Sequence, residues 1–287
     1  ERLNRNLMFD EYYRASSFVE GTEYALKAPW PYSFDPAKAR ELLARAGFHR
    51  PEEIRAKTWW GRLGNAVRGL LFLRSDTDDV LVNERGEKAS FTLIYGTKGI
   101  ERHLTVMQQE FRRAGVDVRL RLLEPATAFE RGLERKYEMT LTGRTAGFYP
   151  AVRQYLHTEF QKKTNNNNIW GFGSAEVDEL IRIYEEDLSF DARLKAIHRI
   201  EEIVREEAFY IPFWSAPYIR VVYWDYVRWP ETWLPRRTEQ LLDWMVFWID
   251  PKVREQLAED MRAGKAYPVD ADIDKDVHGV LAARVRQ

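Results

Sequence analysis

The chain has 287 residues, of which 45% are hydrophobic and 14% aromatic, so it can bury a sizeable core and is not intrinsically disordered. Lys plus Arg (44) and Asp plus Glu (45) balance at a net charge of −1, which excludes the basic surface of a general nucleic-acid-binding protein. Cysteine is absent, which excludes disulfides, cysteine-ligated metals and thiol nucleophiles.

The first clear element is a helix predicted over residues 36–46. Asp35 is placed to cap this helix, Pro36 occupies its first position and Gly47 ends it. Residues 49–88 follow with less regular spacing of their apolar side chains. We interpret them as an insertion that carries a hairpin-like turn.

An alternation of strands and helices is predicted from residue 91 to residue 142. The predicted segments are the strands 91–95, 116–122 and 137–142, the helix 100–114 that ends at Gly115, and a short helix that opens at Pro125. Strand, helix and strand at this spacing are typical of parallel βαβ units. The sequence therefore predicts an α/β fold whose sheet is dominated by parallel strands and flanked by helices.

Two helices, at 176–188 and 191–206, are predicted next because their apolar residues recur at helical spacing. Residues 211–214 and 217–224 are expected to be extended. From Pro235 onward the composition changes, and a helical C-terminal appendage is expected.

No catalytic or metal-binding pattern is found. No two of the five histidines lie at a metal-like spacing such as the i, i+4 pair of a zincin helix, and no nucleophile elbow, phosphate loop or dinucleotide fingerprint occurs. The carboxylate clusters 185–187 and 201–202 are interpreted as solvated helix faces. No enzyme activity, metal or cofactor is predicted.

Aromatic residues are the stronger signal. Six of the ten tryptophans fall between residues 214 and 248. They either pack in a core or a domain interface, or line an apolar cleft for a peptide or sugar. The aromatic residues after 225, among them Phe247 and Trp248, are expected to contact a partner or to form an apolar surface.

Three segments in order match one known pattern. Residues 34–48 are similar to the helix motif Y-D-P-x-K-A-x-x-L-L-x-x-A-G. Residues 91–122 place Gly115-Val116 where the motif L-x-x-x-G-I-x-V has its G-I, and residues 168–181 are similar to N-x-x-G-x-x-N-x-x-V-D-x-L-I. Together they resemble the extracytoplasmic solute-binding proteins of peptide-type ABC transporters, family 5. Residues 3–7 and 17–24 resemble its oligopeptide, murein-peptide and microcin C branch.

The resemblance implies the periplasmic-binding-protein type II fold, in which two lobes close on a solute. Residues 1–232 are then the second, C-terminal lobe, and residues 233–287 are a return segment that packs on the first. Since family members are considerably longer, the chain is expected to be a fragment without its N-terminal lobe.

The implied function is to capture a peptide or peptide-like solute for a membrane ABC permease. The implied location is the periplasm, or the outer face of the membrane in a Gram-positive host. A cytoplasmic ligand-sensing domain of a transcription regulator remains the alternative function. A glycoside hydrolase would need two cleft carboxylates, and no such pair can be named.

One departure from the family concerns the ligand. Relatives that bind peptides carry an Asp that pairs with the free amine, and here Ala146 stands in its place, while Tyr149 precedes Pro150. The resemblance therefore does not imply recognition of a free peptide N-terminus at this position. Arg144 suggests a solute that presents a carboxylate, phosphate or other acceptor, and an ordinary surface arginine is the competing interpretation.

Ligand-facing residues are expected at the carboxyl ends of the strands and in the loops that follow. The candidates are Tyr95, Arg144, Thr145, Phe148, Tyr149 and Trp170.

Overall fold

The computed structural model of the chain describes residues 2–9, 12–57, 80–144, 149–216, 223–228 and 247–266. The helices are α1 (Arg2–Leu7), α2 (Pro36–Arg45), α3 (Pro51–Lys57), α4 (Glu101–Ala114), α5 (Pro125–Leu133), α6 (Arg153–Leu156), α7 (Thr158–Gln161), α8 (Ala175–Glu186), α9 (Phe190–Glu207) and α10 (Pro251–Arg262). The strands are β1 (Tyr13–Arg14), β2 (Ser90–Tyr95), β3 (Asp117–Leu122), β4 (Met139–Thr140), β5 (Trp214–Ser215), β6 (Val227–Arg228) and β7 (Trp248–Ile249).

A parallel sheet in the order β3-β2-β4 organises the first half of the chain. Leu93 of β2 lies opposite Leu120 of β3 and Met139 of β4, and α4 connects β2 to β3. Gly115 ends α4 with a φ of 97°, and a Cβ built there would lie 2.5 Å from the Cγ atom of Leu81. The predicted α/β fold with parallel strands is confirmed.

The last strand of this sheet is shorter than the predicted 137–142. The carboxylate of Glu138 accepts a hydrogen bond from the backbone N–H of Thr92 at 2.7 Å, in place of a backbone carbonyl. The ladder therefore begins only at Met139. Beyond Thr140 the backbone N–H of Leu141 still donates to Ile94, and the chain then leaves the sheet.

Helix α2 begins as predicted, since the carboxylate of Asp35 accepts from two backbone N–H groups of its first turn. Its apolar stripe is less buried than expected. Leu42 is 44% exposed, and Leu43 packs against the core of the sheet while remaining half-buried. The expectation that this helix buries its whole stripe is wrong, because only one edge of the helix touches the sheet layer.

Helices α8 and α9 pack against each other and form a second core. Its fully buried members are Leu156, Val177, Ile181, Ile197 and Val204. Ser174 and Ser189 cap the two helices through their hydroxyls. Leu188, which the predicted helix 176–188 included in its buried stripe, is 99% exposed, because α8 ends at Glu186.

Helix α9 buries two charged side chains that fasten the irregular segment 16–29. Glu201 is 1% exposed, and its carboxylate accepts from the backbone N–H of Phe18 at 2.7 Å. The guanidinium of Arg205 donates to the carbonyls of Ser16, Ala28 and Pro29. The expectation that both carboxylates of 201–202 are solvated is therefore wrong for Glu201.

Two short antiparallel pairs complete the described part of the chain. β1 pairs with β5, and β6 pairs with β7. Trp248 is 51% exposed and Phe247 is 39% exposed, in agreement with an apolar surface, whereas Trp229, Trp233 and Trp244 lie outside the described residues. No helix in the described ranges combines the length and the apolar composition that a membrane span requires.

Candidate functional site

A cavity of about 720 Å³ lies along β4, at one edge of the parallel sheet. One wall is the continuous segment 137–144, which contains β4 and the loop that follows it. The rest of the lining includes β1, β5 and the aromatic segment 209–214, together with Phe18 and Trp170. The cavity is therefore mostly apolar and aromatic, as solute-binding cavities in proteins commonly are.

Arg144 supplies the single positive charge in the described lining of this cavity. Its guanidinium carbon lies 3.9 Å from the ring centroid of Phe18, 4.0 Å from that of Tyr155 and 5.4 Å from that of Trp170. Its Nε and Nη1 atoms are buried, and within the described residues they have no hydrogen-bond partner. Ring faces, not carboxylates, stabilise this cation.

The pKa of Arg144 reflects this setting. Burial lowers the pKa of the guanidinium, and the nearby phenols of Tyr155 and Tyr210 oppose that shift. Burial likewise raises the pKa of Tyr210, and Arg144 opposes the increase. Arginine still remains charged near neutral pH, so the site holds a positive charge with two buried nitrogens.

The aromatic rings form a connected cluster. The ring centroid of Phe18 lies 5.5 Å from those of Trp170 and Tyr210, with edge-to-face geometry in both pairs. Phe209 stacks on Phe172 with centroids 4.7 Å apart. Aromatic pairs at these distances stabilise each other beyond their burial, so the walls are held in fixed orientations.

Arg135 holds the loop that carries Trp170. Its Nε atom donates to the carbonyl of Asn168 at 3.0 Å, and its Nη2 atom donates to the carbonyls of Phe160 and Lys163 at 2.8 Å. The buried amide of Asn168 in turn bonds to both backbone groups of Phe172. The asparagine run in this segment is thus an ordered support for Trp170.

Glu201 holds Phe18 in the same way from the other side. Beside the backbone N–H of Phe18, its carboxylate accepts hydrogen bonds from the Ser17 hydroxyl and from the backbone N–H of Leu26. The position of the Phe18 ring over Arg144 therefore depends on a charged side chain from α9. Two charged side chains outside the cavity lining, Arg135 and Glu201, position its aromatic residues.

The structure treats the six predicted site residues differently. Arg144 and Trp170 line the cavity and lie against each other. Tyr95 is 2% exposed in the sheet core, where burial raises its pKa, and it does not line the cavity. Tyr149 is 56% exposed, with its ring centroid 5.2 Å from the guanidinium carbon of Arg193. Thr145 and Phe148 lie outside the described residues.

Sequence reasoning missed three aromatic neighbours of Arg144. Phe18, Tyr155 and Tyr210 come from three distant parts of the chain, and no local spacing connects them. The density of aromatic residues from 209 to 214 is the one signal that could have pointed to Tyr210. In the described part of the chain, no three His, Asp or Glu side chains are placed to hold a metal ion.

Residues 1–167 match the model of the family described as bacterial extracellular solute-binding proteins, family 5 Middle. The chain belongs to this family. Its resemblance to family 5, inferred above from three motifs, is therefore confirmed.

Known proteins agree with this family assignment. A protein of Brucella suis biovar 1, described as a binding protein, is 22% identical over 261 residues, which cover 85% of this chain and 41% of the relative. The oligopeptide-binding protein AppA of Bacillus subtilis, solved with a nonapeptide, superposes with a TM-score of 0.62 at 16% identity, over 87% of this chain and 45% of AppA.

An oligopeptide-binding protein of Thermus thermophilus, solved with a pentapeptide, superposes with a TM-score of 0.58 at 18% identity, over 74% of this chain and 35% of that protein. The two solved structures share the periplasmic-binding-protein type II fold with this member of family 5. The chain spans less than half the length of each of these three proteins.

Proposed function

We propose that the chain is the substrate-binding component of an ABC importer and captures a peptide or peptide-like solute without catalysis. Its membership of family 5 supports a solute-binding role. The proposed location is the periplasm, or the outer face of the membrane in a Gram-positive host, and the proposed partner is the membrane permease of the same system.

The observation that carries this proposal is the cavity around Arg144. A volume of about 720 Å³ accommodates a short peptide-like solute, and the aromatic walls offer large contact area. A buried cation with unsatisfied N–H groups beside such a cavity is costly to the fold unless a ligand supplies acceptors. Arg144 is therefore the proposed anchor, with Trp170 and Phe18 as contact surfaces.

The proposal includes a second lobe. The chain corresponds to 41% of its Brucella relative and 45% of AppA, so in this proposal the cavity is one wall of the solute site. A further lobe would supply the opposite wall and close by hinge motion. The 287-residue chain is then expected to bind more weakly than a two-lobed protein that contains it, and titration calorimetry of both would compare them.

Titration calorimetry of the chain with N-acetyl-trialanine tests the proposed function directly. Arg144→Gln should weaken binding about tenfold or more, because it removes a charge-assisted hydrogen bond. Arg182→Gln is the matched control, since Arg182 is exposed and pairs with Glu179 and Glu186 on the surface. Equal affinity in the Arg144 variant and the parent would remove this cavity as the solute site.

A further inference from the structure

The charged groups of the cavity are not equally available to a solute. In the described lining there are three of them, namely Glu20, Glu138 and Arg144. Both carboxylates are engaged by the protein's own backbone, whereas the guanidinium has no anionic partner among the described residues. This asymmetry bears on which end of a solute can enter. The inference drawn from it rests on the proposed function.

Glu20 holds the turn that leads to Phe18. Its Oε2 atom accepts from the backbone N–H groups of Ser16 at 2.8 Å and Ser17 at 3.0 Å. A solute ammonium that drew this carboxylate away from the turn would leave two backbone N–H groups without their acceptor. It would also loosen the segment that positions Phe18 against Arg144.

The carboxylate of Glu138 is bonded to the backbone of the parallel sheet. It accepts from the backbone N–H of Thr92 at 2.7 Å, and this hydrogen bond lowers the pKa of its carboxyl group. Its role is to continue the edge of the sheet where β4 has not yet begun. An ammonium ion that drew the carboxylate out of this position would break its hydrogen bond to Thr92.

Arg144 presents the opposite case. Two of its nitrogens are buried without acceptors, and the faces of Phe18 and Tyr155 already contact its guanidinium. An ammonium group near these rings would meet the repulsion of the guanidinium. A carboxylate in the cavity would instead provide the acceptors that the guanidinium lacks.

We propose that the cavity selects the carboxylate end of its solute and excludes a free ammonium group. The substrate class is N-blocked peptides and similar peptide-like molecules that carry a carboxylate and no charged amine. The carboxylate binds Arg144, and the blocked, uncharged remainder lies along the aromatic wall formed by Phe18, Trp170 and Tyr210.

Three trialanine derivatives separate the contributions of the two ends. N-acetyl-trialanine carries the carboxylate alone, trialanine amide carries the ammonium alone, and N-acetyl-trialanine amide carries neither charge. Calorimetry with the full chain, supported by ligand-observed NMR for weak binding, should show N-acetyl-trialanine binding about tenfold tighter than trialanine amide.

In the same titrations, Arg144→Gln should bind N-acetyl-trialanine more weakly and trialanine amide with unchanged affinity, so the preference is lost. Arg182→Gln should retain the preference. Equal or tighter binding of trialanine amide would overturn the inference and leave the proposed solute-binding function intact. A preference that persists in Arg144→Gln would overturn the assignment to Arg144. Absence of binding by all three derivatives would overturn the proposed function together with the inference.

Discussion

Arg135 and Arg144 show how one protein uses the same side chain in two ways. The guanidinium of Arg135 donates to backbone carbonyls of the loop that carries Trp170. The guanidinium of Arg144 is surrounded by rings, and its Nε and Nη1 atoms have no acceptor in the described residues. A cation whose donors are satisfied stabilises the fold, whereas one whose donors are left unsatisfied beside a cavity is available to a ligand.

Arg193 shows which part of this difference matters. Its guanidinium carbon lies 5.0 Å from the ring centroid of Tyr184 and 5.5 Å from that of Tyr24, so it too has aromatic neighbours. Its Nε atom, however, donates to the carbonyl of Tyr184 at 3.0 Å. Contact with rings alone therefore does not mark a ligand site, and the missing acceptors at Arg144 do.

The largest expected change in stability is at Arg135, whose guanidinium donates to several loop carbonyls. Arg135→Leu should lower the free energy of unfolding by about 3 kcal/mol or more, because several loop carbonyls lose a charged donor at once. Urea denaturation measures this change, and Arg182→Leu on the surface should change stability by less than about 0.5 kcal/mol. An Arg135 variant as stable as the Arg182 variant would break the comparison.

Glu201→Gln should cost about 2–3 kcal/mol, because an amide N–H₂ would face backbone donors that now share one buried carboxylate. The adjacent Glu202→Gln, at an exposed position, is the matched control. NMR of the arginine Nε–H groups adds a local readout. Exchange at Arg144 should accelerate in Glu201→Gln as Phe18 shifts, while exchange at Arg135 stays slow, and equal behaviour of both groups would contradict the positioning role of Glu201.

Arg144→Leu should have the opposite sign and raise the free energy of unfolding by about 1 kcal/mol, because an apolar side chain replaces a buried cation without an anionic partner. The same urea titrations measure this gain. A loss of stability comparable to that of Arg135→Leu would show that Arg144 is itself a structural arginine.

The smallest effect concerns Tyr184, the neighbour of Arg193. Its hydroxyl is buried without a hydrogen bond in the described structure, and burial raises the pKa of Tyr184 to about 12. An unfolded tyrosine ionises near pH 10, so the folded state holds more protons between pH 10 and about 12 and stability falls as the pH rises through that range. Tyr184→Phe should reduce this fall, and thermal unfolding curves of the variant and parent that coincide throughout that range would contradict it.

Local signals were sufficient for the regular elements. Asp35 with Pro36, Gly115, and the helical spacing from Val177 to Val204 each act within one or two turns of chain, so the sequence shows them directly. The early part of β4 was overestimated because a side chain, Glu138, replaced a backbone partner. Such a substitution has no signature in hydrophobic periodicity.

The site was only partly predictable for a related reason. Arg144 and Trp170 could be named because the family resemblance marked the segments that carry them. The contact between Phe18 and Arg144 depends on Glu201, a residue far along the chain from Phe18. The hydrogen bond from the backbone N–H of Phe18 to Glu201 leaves no local pattern in the sequence. A carboxylate within a highly charged helix also looks solvated until its long-range partners are known.

The backbone groups of His49 and Val82 exchange two hydrogen bonds of 2.8 Å, so two positions far apart in the chain are joined directly. The entropy of closing the span between them depends weakly on its length, and each doubling costs only about 0.6 kcal/mol. A related chain with more or fewer residues between these two positions would therefore lose little additional entropy on closing the span.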